Sequence, residues 1–346
     1  MSGMLKAGEA LMVASRGTGP EHGPWRFLED DGKWTGEQMV AITDLSAMAL
    51  HPTLPVGYAT SKVGADGEIH AFSLTGSGML SEKSSSGAEP CHLTVDPSGR
   101  LLIVTNYTTS TLGLQPLDSD GAFSGEIALK KLSGGGPEAD RQDDAHPHQA
   151  FFIGDTLVVI DLGADLVREF RLDFGQSGAD MLVALRETAM PAGSGPRHGV
   201  ALADGRLAIS GELGSNLLVG RLGEPVDNWS NVHSTTRTGP AKTRHTRNYP
   251  GDIQRSKDGR HVYFANRGYD TIACFDVSTG EPRLVAEQDA TVAWAQHMLV
   301  LDTHLLVAGW DSSEVVCLPL TDGVPGPAEK LLQCSGAAWV TLLPAR

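Results

Sequence analysis

Short apolar segments alternate with turns containing Gly, Pro, Asp or Asn along almost the whole chain. Residues 195–222 hold one complete example. Pro196-Arg197-His198 opens a first apolar segment, residues 203–206 (Ala-Asp-Gly-Arg) form a turn, and two more apolar segments follow at 207–210 and 216–222. Apolar runs bounded by turn residues predict β-strands. Three strands joined by tight turns form an antiparallel meander, and a helical period of about 3.6 residues is hard to find anywhere.

The same pattern recurs before and after this stretch. Six copies are marked by the ends of their second strands: Ser61, Asn106, Asp161, Gly211, Asn266 and Trp310. Their spacing of roughly 45 to 55 residues is typical of propeller repeats of four strands each. Residues 9–15 resemble a second strand without a first, and residues 337–343 a first strand without a second. We therefore predict an all-β fold, a seven-bladed β-propeller of four-stranded antiparallel blades. It is expected to be a single domain over residues 1–346, with the last blade closed by pairing of the N- and C-terminal strands.

The composition of the chain limits the cellular location and the binding partners that can be expected. Of the 346 residues 40% are hydrophobic, but no apolar run approaches the ~20 residues of a membrane-spanning helix, so we expect a soluble protein with no membrane partner. The formal net charge of −15 argues against nucleic acid, which requires clustered Lys and Arg. The cysteines are too sparse for a secreted disulfide scaffold, and no signal-peptide pattern is found. Free thiols and a cytoplasmic location are expected.

Two loops differ from the short turns. Residues 134–145 are rich in Gly and acidic groups, and we interpret them as a flexible surface linker. Residues 234–247 form a cationic loop in an acidic chain, with Arg237, Lys242, Arg244, His245 and Arg247. This loop is either an ordinary solvated loop or a lid that attracts an anionic substrate through its local field.

Candidate site residues emerge when the repeats are aligned by phase. In a propeller, the starts of first strands and the ends of second strands converge on one end of the central channel. The aligned positions predicted to bind substrate are His92, His198, Asn106, Tyr107, Asp161, Asn266, His297 and Arg16. Any one of these could be structural, since a histidine at a strand start can hydrogen-bond turn backbone. Together, imidazoles, carboxylates, guanidiniums and amides are what an acid/base site for an anionic substrate requires.

Several motifs resemble those of a known family. Gly-Pro-Arg-His at 195–198, Gly-Glu-Leu at 211–213, Asn-Arg-Gly at 266–268 and Pro-Cys-His at 90–92 are similar in order and spacing to the seven-bladed propeller lactonases. That family includes bacterial 6-phosphogluconolactonases and fungal 3-carboxy-cis,cis-muconate lactonizing enzymes. The resemblance covers nearly the whole chain. It implies four catalytic residues: His148, Arg197, Glu212 and Arg267.

The predicted activity is hydrolysis of a sugar lactone, most simply 6-phosphogluconolactone, so the expected partner is a small anionic lactone or sugar acid. Arg197 and Arg267 would bind the anionic group and the lactone carbonyl and stabilise the developing oxyanion. Either Glu212 or His148 would take the proton from the attacking water. No metal and no other cofactor is expected, and the protein is expected to be a monomer or a weak homo-oligomer.

The chain departs from the family pattern in ways that bear on substrate identity. In the sixth unit, Gln296-His297 stands where members usually resemble Pro-Arg-His, so one expected guanidinium is missing. The third unit has a shorter turn, Gly154-Asp155, and the first unit ends in Ser61-Lys62 where Asn-Glu is usual.

Three alternatives stay open. A muconate-type lactonizing enzyme, a cyclase or isomerase, would use the same groups to deliver a proton. A non-catalytic propeller would display its loops to a protein partner. A metal-assisted lactonase would take oxygen ligands from Glu212, Asn106, Asn266 and Asp161, although neighbouring arginines oppose a cation there.

Overall fold

Almost all regular structure in the described part of the chain is β-strand. The computed structural model describes residues 4–76, 78–237, 247–343 and 345. The strands of the N-terminal half are β1 (Ala10–Ser15), β2 (Gly23–Asp30), β3 (Lys33–Gln38), β4 (Leu45–Leu50), β5 (Val56–Ser61), β6 (Glu68–Ser73), β7 (Met79–Ser84), β8 (Pro90–Val95), β9 (Leu101–Asn106), β10 (Thr111–Pro116), β11 (Ala128–Lys131), β12 (Pro147–Ile153), β13 (Thr156–Asp161), β14 (Leu166–Leu172) and β15 (Leu182–Ala189). Those of the C-terminal half are β16 (Pro196–Ala201), β17 (Leu207–Gly211), β18 (Asn216–Gly220), β19 (Ser230–His233), β20 (Tyr249–Arg255), β21 (His261–Arg267), β22 (Thr271–Asp276), β23 (Arg283–Asp289), β24 (Ala295–Val300), β25 (His304–Gly309), β26 (Glu314–Thr321), β27 (Val324–Pro325), β28 (Glu329–Gln333) and β29 (Ala337–Leu343). Two short 3₁₀ helices lie at Gly178–Met181 and Val226–Asn228.

The strands form seven sheets in which consecutive strands are neighbours. Five sheets follow the chain directly, namely β4 to β7, β8 to β11, β12 to β15, β16 to β19 and β20 to β23. A sixth contains β24, β25, β26 and β28, and the two-residue strand β27 forms a small hairpin with the end of β26. The predicted all-β fold of seven four-stranded antiparallel units is confirmed.

The seventh sheet joins the two ends of the chain, in the order β29-β1-β2-β3. β29 is antiparallel to β1, and the pairing places Val340 opposite Val13 and Leu342 opposite Leu11. The predicted closure of the last blade by the terminal strands is therefore confirmed. The third strand expected near Trp25 is β2.

Burial is greatest in the second strand of each sheet described here and least in the outermost strand. β9 is buried at all of its positions, whereas β11 alternates between half-buried and exposed residues. β5 and β7 show the same contrast. A strand covered on both faces needs a continuous apolar run, whereas an outer strand follows the period of two. The apolar runs that marked second strands in the sequence are thus the most deeply buried ones.

The chain divides into two compact units. The second unit is Ile42–Arg197 with Leu222–Val226, and the first unit is the rest of the described chain. In the second unit, the sheets β8 to β11 and β12 to β15 pack face to face through a buried apolar cluster that includes Ile103, Val159 and Phe170.

The first unit has three such interfaces between successive sheets. The sheets β16 to β19 and β20 to β23 pack through Val219 and Phe264. The sheets β20 to β23 and β24 to β28 pack through Ile272 and Val307. The sixth sheet packs on the terminal sheet through a cluster that includes Val340. β29 thus contributes both to its own sheet and to the core beside it.

The turn Asp-Pro-Ser-Gly-Arg at 96–100, which follows β8, is held together by its aspartate. The carboxylate of Asp96 accepts hydrogen bonds from the backbone N–H groups of Arg100 and Leu101 at 2.8 and 2.7 Å. Gly99 has a φ of 75°, and a Cβ there would lie 2.5 Å from the ring of His51. Only glycine fits this turn without strain.

The segment 134–145, interpreted from its composition as a flexible linker, is held in place by its own contacts. Gln142 is buried, and its amide donates to the carbonyl of Leu162 at 2.9 Å. Its own carbonyl accepts from the N–H of Gly136 at 3.0 Å. The segment is therefore packed against the sheet of β13, which the sequence did not reveal.

The state of the cysteines and the length of the helices can both be compared with what the sequence predicted. All four cysteines are free, as expected, and three of them are buried. Within the described residues, no helix has the length and apolar character needed to cross a membrane.

Candidate active site

In the first unit, the structure brings together two of the predicted catalytic residues. Glu212 follows β17 and Arg267 ends β21, and the guanidinium of Arg267 donates through Nη2 to the carboxylate of Glu212. Both side chains are buried. Arg267 also donates from Nε to the carbonyl of Tyr249 at 2.8 Å and from Nη1 to the amide oxygen of Gln296 at 3.3 Å. The cation is thus held in one orientation by three neighbouring segments.

A second group in this unit contains two of the predicted substrate-binding histidines. His198 on β16 and His297 on β24 both face the carboxylate of Asp252 on β20, at 3.4 Å from Nδ1 and 3.8 Å from Nε2 respectively. All three residues are buried. The ring of His297 stacks on Trp339 with centroids 3.8 Å apart. Asp252 and Trp339 were not among the predicted site residues.

In the second unit, Tyr107 lies at the centre of an aromatic and cationic group. Its ring stacks on His146 at 4.3 Å between centroids and meets His148 edge-on at 5.8 Å. Its hydroxyl accepts a hydrogen bond from Arg141 at 3.3 Å. Arg141 lies in the segment 134–145. The composition of that segment gave no reason to predict any of its residues as site residues.

Arg197 and His92, also in this unit, occupy buried positions on β16 and β8. Cys91, which directly precedes His92 on β8, places its sulfur 3.5 Å from the carbonyl of His148. Burial raises the pKa of the Cys91 thiol, and the positive charges of Lys62 and Arg197 oppose that effect. The thiol therefore stays neutral and serves as a packing group.

Three of the predicted substrate-binding residues are fully buried and bonded within the protein. Asn106 donates to Thr111 at 3.1 Å, and Asn266 donates to the carbonyl of Ser234 at 2.8 Å. Asp161 accepts from the Nε of Arg168 at 3.0 Å. Burial raises the pKa of Asp161 despite the opposing charge of Arg168. These contacts anchor the ends of strands.

The remaining predicted residue, Arg16, follows β1 and lies over the ring of Trp310 at 4.2 Å. Most of the predicted cationic loop, including Lys242, Arg244 and His245, lies outside the described residues. Of its described cations, Arg237 is 3.3 Å from the carboxylate of Asp289.

Comparison with known proteins identifies the family. A family model described as "Lactonase, 7-bladed beta-propeller" matches residues 24–342. The chain belongs to this family.

Its relatives agree with that membership. The 6-phosphogluconolactonase of Bacillus subtilis (strain 168) is 25% identical over 293 residues, which cover 78% of this chain and 82% of the relative. The 6-phosphogluconolactonase of Formosa agariphila is 26% identical over 307 residues, which cover 85% of this chain and 86% of the relative.

Solved structures share the fold. A protein from Lactobacillus plantarum has a TM-score of 0.85 and 22% identity, and the match covers 97% of this chain and 99% of that protein. The periplasmic gluconolactonase of Pseudomonas aeruginosa has a TM-score of 0.80 and 19% identity, with 98% and 99% covered. At these identities the likeness concerns the fold.

In this member of the lactonase family, the departure in the sixth unit has a structural consequence. Gln296, where the resemblance led us to expect an arginine, supplies the amide oxygen that accepts a hydrogen bond from Arg267. An arginine has no acceptor to offer and would bring a second positive charge beside the first. The substitution therefore helps to fix the orientation of Arg267.

The oxygen ligands of the metal-assisted alternative all have partners within the protein. Glu212, Asn106, Asn266 and Asp161 each have the protein partners described above. Among the described residues, a separate cluster brings ligand atoms of Glu68, His70 and Glu82 within 4.8 Å of one another. There, His70 faces Glu82 through Nδ1 and the hydroxyl of Ser61 through Nε2, both at 3.0 Å. Both ring nitrogens thus have hydrogen-bond partners within their own sheet, which accounts for the cluster without an ion.

Proposed function

We propose that this protein hydrolyses a phosphorylated sugar lactone, and that 6-phosphogluconolactone, which gives its relatives their name, is the substrate. The observation that carries the proposal is the buried Arg267, held by Glu212, Tyr249 and Gln296 in a chain of the lactonase family. A fixed, buried guanidinium suits a reaction in which negative charge develops on a carbonyl oxygen.

The charge distribution supports an anionic substrate. The chain carries a net charge of −15, so an anion must be attracted by local groups. Arg267 carries a planar guanidinium of the kind that binds carbonyl, carboxylate or phosphate oxygens in pairs. We assign Arg267 to the lactone carbonyl.

The reaction adds water to the lactone carbonyl and breaks the ring ester bond. Arg267 stabilises the oxyanion of the tetrahedral intermediate, and this step draws on no metal ion. Glu212 orients Arg267. A proton taken up by Glu212 would neutralise the carboxylate that compensates the buried charge of Arg267, and an uncompensated buried charge is costly. We therefore assign Glu212 a positioning role.

The test offers freshly prepared 6-phosphogluconolactone and unphosphorylated gluconolactone to the wild-type protein, and follows acid release against the spontaneous rate. Arg267→Ala should lower kcat on both lactones by about a hundredfold or more, as expected for loss of an oxyanion donor. Arg171→Ala, at an exposed arginine of β14, is the matched control.

Two results would count against the proposal. Wild-type protein that releases acid no faster than buffer on either lactone rules out the hydrolase assignment. Cyclisation of a carboxymuconate by the same preparation would then favour the lactonizing reaction instead.

A further inference from the structure

Asn248 is a buried asparagine that directly precedes β20 and that no sequence motif predicted as a site residue. Its side-chain amide donates from Nδ2 to the amide oxygen of Asn266 at 2.9 Å and to the hydroxyl of Ser234 at 3.3 Å. Both partners are fully buried. Asn266 lies at the end of β21, and Arg267 is the next residue. The side chain of Asn248 is therefore bonded to the residue that directly precedes Arg267.

The residue after Asn248 supplies a second connection to Arg267. Tyr249 begins β20, pairs with Arg267 across the ladder, and accepts from the Nε of Arg267 through its carbonyl at 2.8 Å. The following Pro250 has no N–H to donate, and a register shift interrupts the ladder between Pro250 and Ile253. The start of β20 is thus held by fewer ladder hydrogen bonds than a regular strand. The side-chain amide of Asn248 therefore contributes to fixing the position of the Tyr249 carbonyl.

A strand end of the same kind, in the sheet β8 to β11, shows what Asn248 adds. Asn106 ends β9 and is paired with Pro90. Asn266 is likewise paired with a proline, Pro250. Each of these two asparagines donates to the hydroxyl of a threonine five residues later, at 3.1 Å, and to the carbonyl of a serine. These shared contacts anchor both strand ends.

The two strand ends differ in the partner of the asparagine oxygen. The residue two positions before the paired proline is Ala88 in one sheet and Asn248 in the other. Among the described residues, no donor lies within hydrogen-bond distance of the buried Oδ1 of Asn106, whereas the Oδ1 of Asn266 accepts from Asn248. An uncharged residue follows Asn106, and Arg267 follows Asn266. The strand end thus forms without this additional amide, which is present where the next residue is a buried guanidinium.

We propose that Asn248 is a positioning residue for the lactone hydrolysis and acts through Tyr249 and Arg267. The inference rests on the proposed function, in which Arg267 stabilises the oxyanion. Asn248 holds the end of β21 through its side chain and the start of β20 through its own backbone. The Tyr249 carbonyl and the guanidinium therefore keep one separation and one direction. A displacement of about 1 Å at a reacting group can cost about a hundredfold in rate, so this alignment governs turnover.

The experiment measures kcat and KM on fresh 6-phosphogluconolactone, with the spontaneous rate subtracted. Asn248→Ala should lower kcat by about tenfold or more and leave KM within about threefold, because the guanidinium acts on charge that develops only in the transition state. The variant reproduces the arrangement that Asn106 has beside Ala88, so it should fold. If it is unfolded at the assay temperature, Asn248→Ser carries the same expectation, because its side chain is too short to span the distance to Asn266.

A double-mutant cycle separates positioning from a general structural role. Arg267→Lys keeps the charge but lacks the Nε–H group that the Tyr249 carbonyl accepts. Because Asn248 acts through that contact, adding Asn248→Ala to Arg267→Lys should lower kcat by less than about twofold further. A purely structural role would lower kcat by the same factor in both backgrounds.

Gln115→Ala is the matched control. Gln115 is fully buried and donates from Nε2 to the carbonyls of Pro116 and Ser124, both at 2.8 Å. It lies opposite Leu102, near the start of β9, and so at the other end of that strand from Asn106. Its replacement removes a buried amide donor, as Asn248→Ala does, and should lower the melting temperature while leaving kcat within about twofold of the wild type. Thermal unfolding of all variants accompanies the kinetics.

The possible results distinguish this inference from the proposed function. The inference alone fails if Arg267→Lys lowers kcat while Asn248→Ala stays within about twofold of the wild type, or if Asn248→Ala lowers kcat equally in both backgrounds. If Arg267→Lys is as active as the wild type, the role assigned to Arg267 fails and this inference fails with it. Wild-type protein that does not exceed the spontaneous rate overturns both.

Discussion

Arg267 shows how a single side chain is fixed by parts of the chain that are distant in sequence. Its three acceptors come from Glu212 after β17, from Tyr249 on β20 and from Gln296 on β24. The carboxylate compensates the buried charge and the two oxygen acceptors complete its hydrogen bonds, which is what a buried cation requires. A change at any of the three should therefore affect the guanidinium.

Replacing Gln296 by arginine should destabilise the protein. The variant Gln296→Arg removes an acceptor from Arg267 and adds a second guanidinium next to it, so we expect a loss of about 1–3 kcal/mol in the free energy of unfolding. Thermal or urea unfolding measures the loss. Gln333→Arg, at an exposed position of β28, is the control. Equal stability of the two variants would show that the contact between Gln296 and Arg267 contributes little.

The buried cysteines lead to a prediction about alkaline pH. Burial raises the pKa values of Cys274, Cys317 and Cys334 to about 12 each. The pKa of a thiol in the unfolded chain is about 8.5. The folded state therefore holds these protons more tightly. Their contribution to stability is therefore complete below about pH 8.5 and is lost as the pH rises towards 12.

Melting temperature measured from pH 8 to 11 tests this expectation. Lysines titrate in part of this range, so the comparison is between the wild type and Cys274→Ala, whose melting temperature should fall less steeply with pH. In the native protein at about pH 8, a thiol reagent should react slowly with the three buried cysteines and faster after denaturation. Parallel melting curves, or rapid labelling of the native protein at all four cysteines, would contradict the prediction.

At the scale of single elements, β29 has two structural roles. It is hydrogen-bonded to β1 along most of its length, and its Val340 contributes to the core shared with the sixth sheet. Without β29, β1 would become an unpaired edge with a fully buried sequence, which favours aggregation.

Deletion of residues 337–346 should therefore give a protein that unfolds at a much lower temperature or aggregates. Deletion of residues 344–346, which follow β29, serves as the control. Size-exclusion chromatography and thermal unfolding report the outcome. A monomeric truncated protein that melts like the wild type would refute the role assigned to the terminal strand.

At the scale of the whole molecule, the proposed chemistry draws on a buried arginine that the sheets hold in place. The metal-assisted alternative predicted a different arrangement, with oxygen ligands gathered around an ion. Lactonase activity should survive exhaustive treatment with a chelator, and stoichiometric analysis should find neither calcium nor zinc. Loss of activity on chelation that one added metal restores would favour the metal-assisted alternative. The variant His70→Gln would then show whether the cluster of Glu68, His70 and Glu82 holds that metal.

The sequence alone determined the seven repeats, the strand positions and the pairing of the chain termini. This was possible because strand burial and turn chemistry are local properties, recorded as apolar runs and as Asp-Gly turns. The resemblance of the motifs to the propeller lactonases also marked Arg197, Glu212 and Arg267 as candidate site residues.

The tertiary structure decided which of those residues contact one another. Asn106, Asp161 and Asn266 stand one position before the phase of Glu212 in the repeat, and they anchor strand ends inside their own sheets. Asp252, Arg141 and Trp339 approach site residues from strands or segments that are far away in sequence. The position of a residue within the repeat determines how far along its strand it lies. The direction of a side chain and its partners depend on packing between sheets, which a single repeat does not encode.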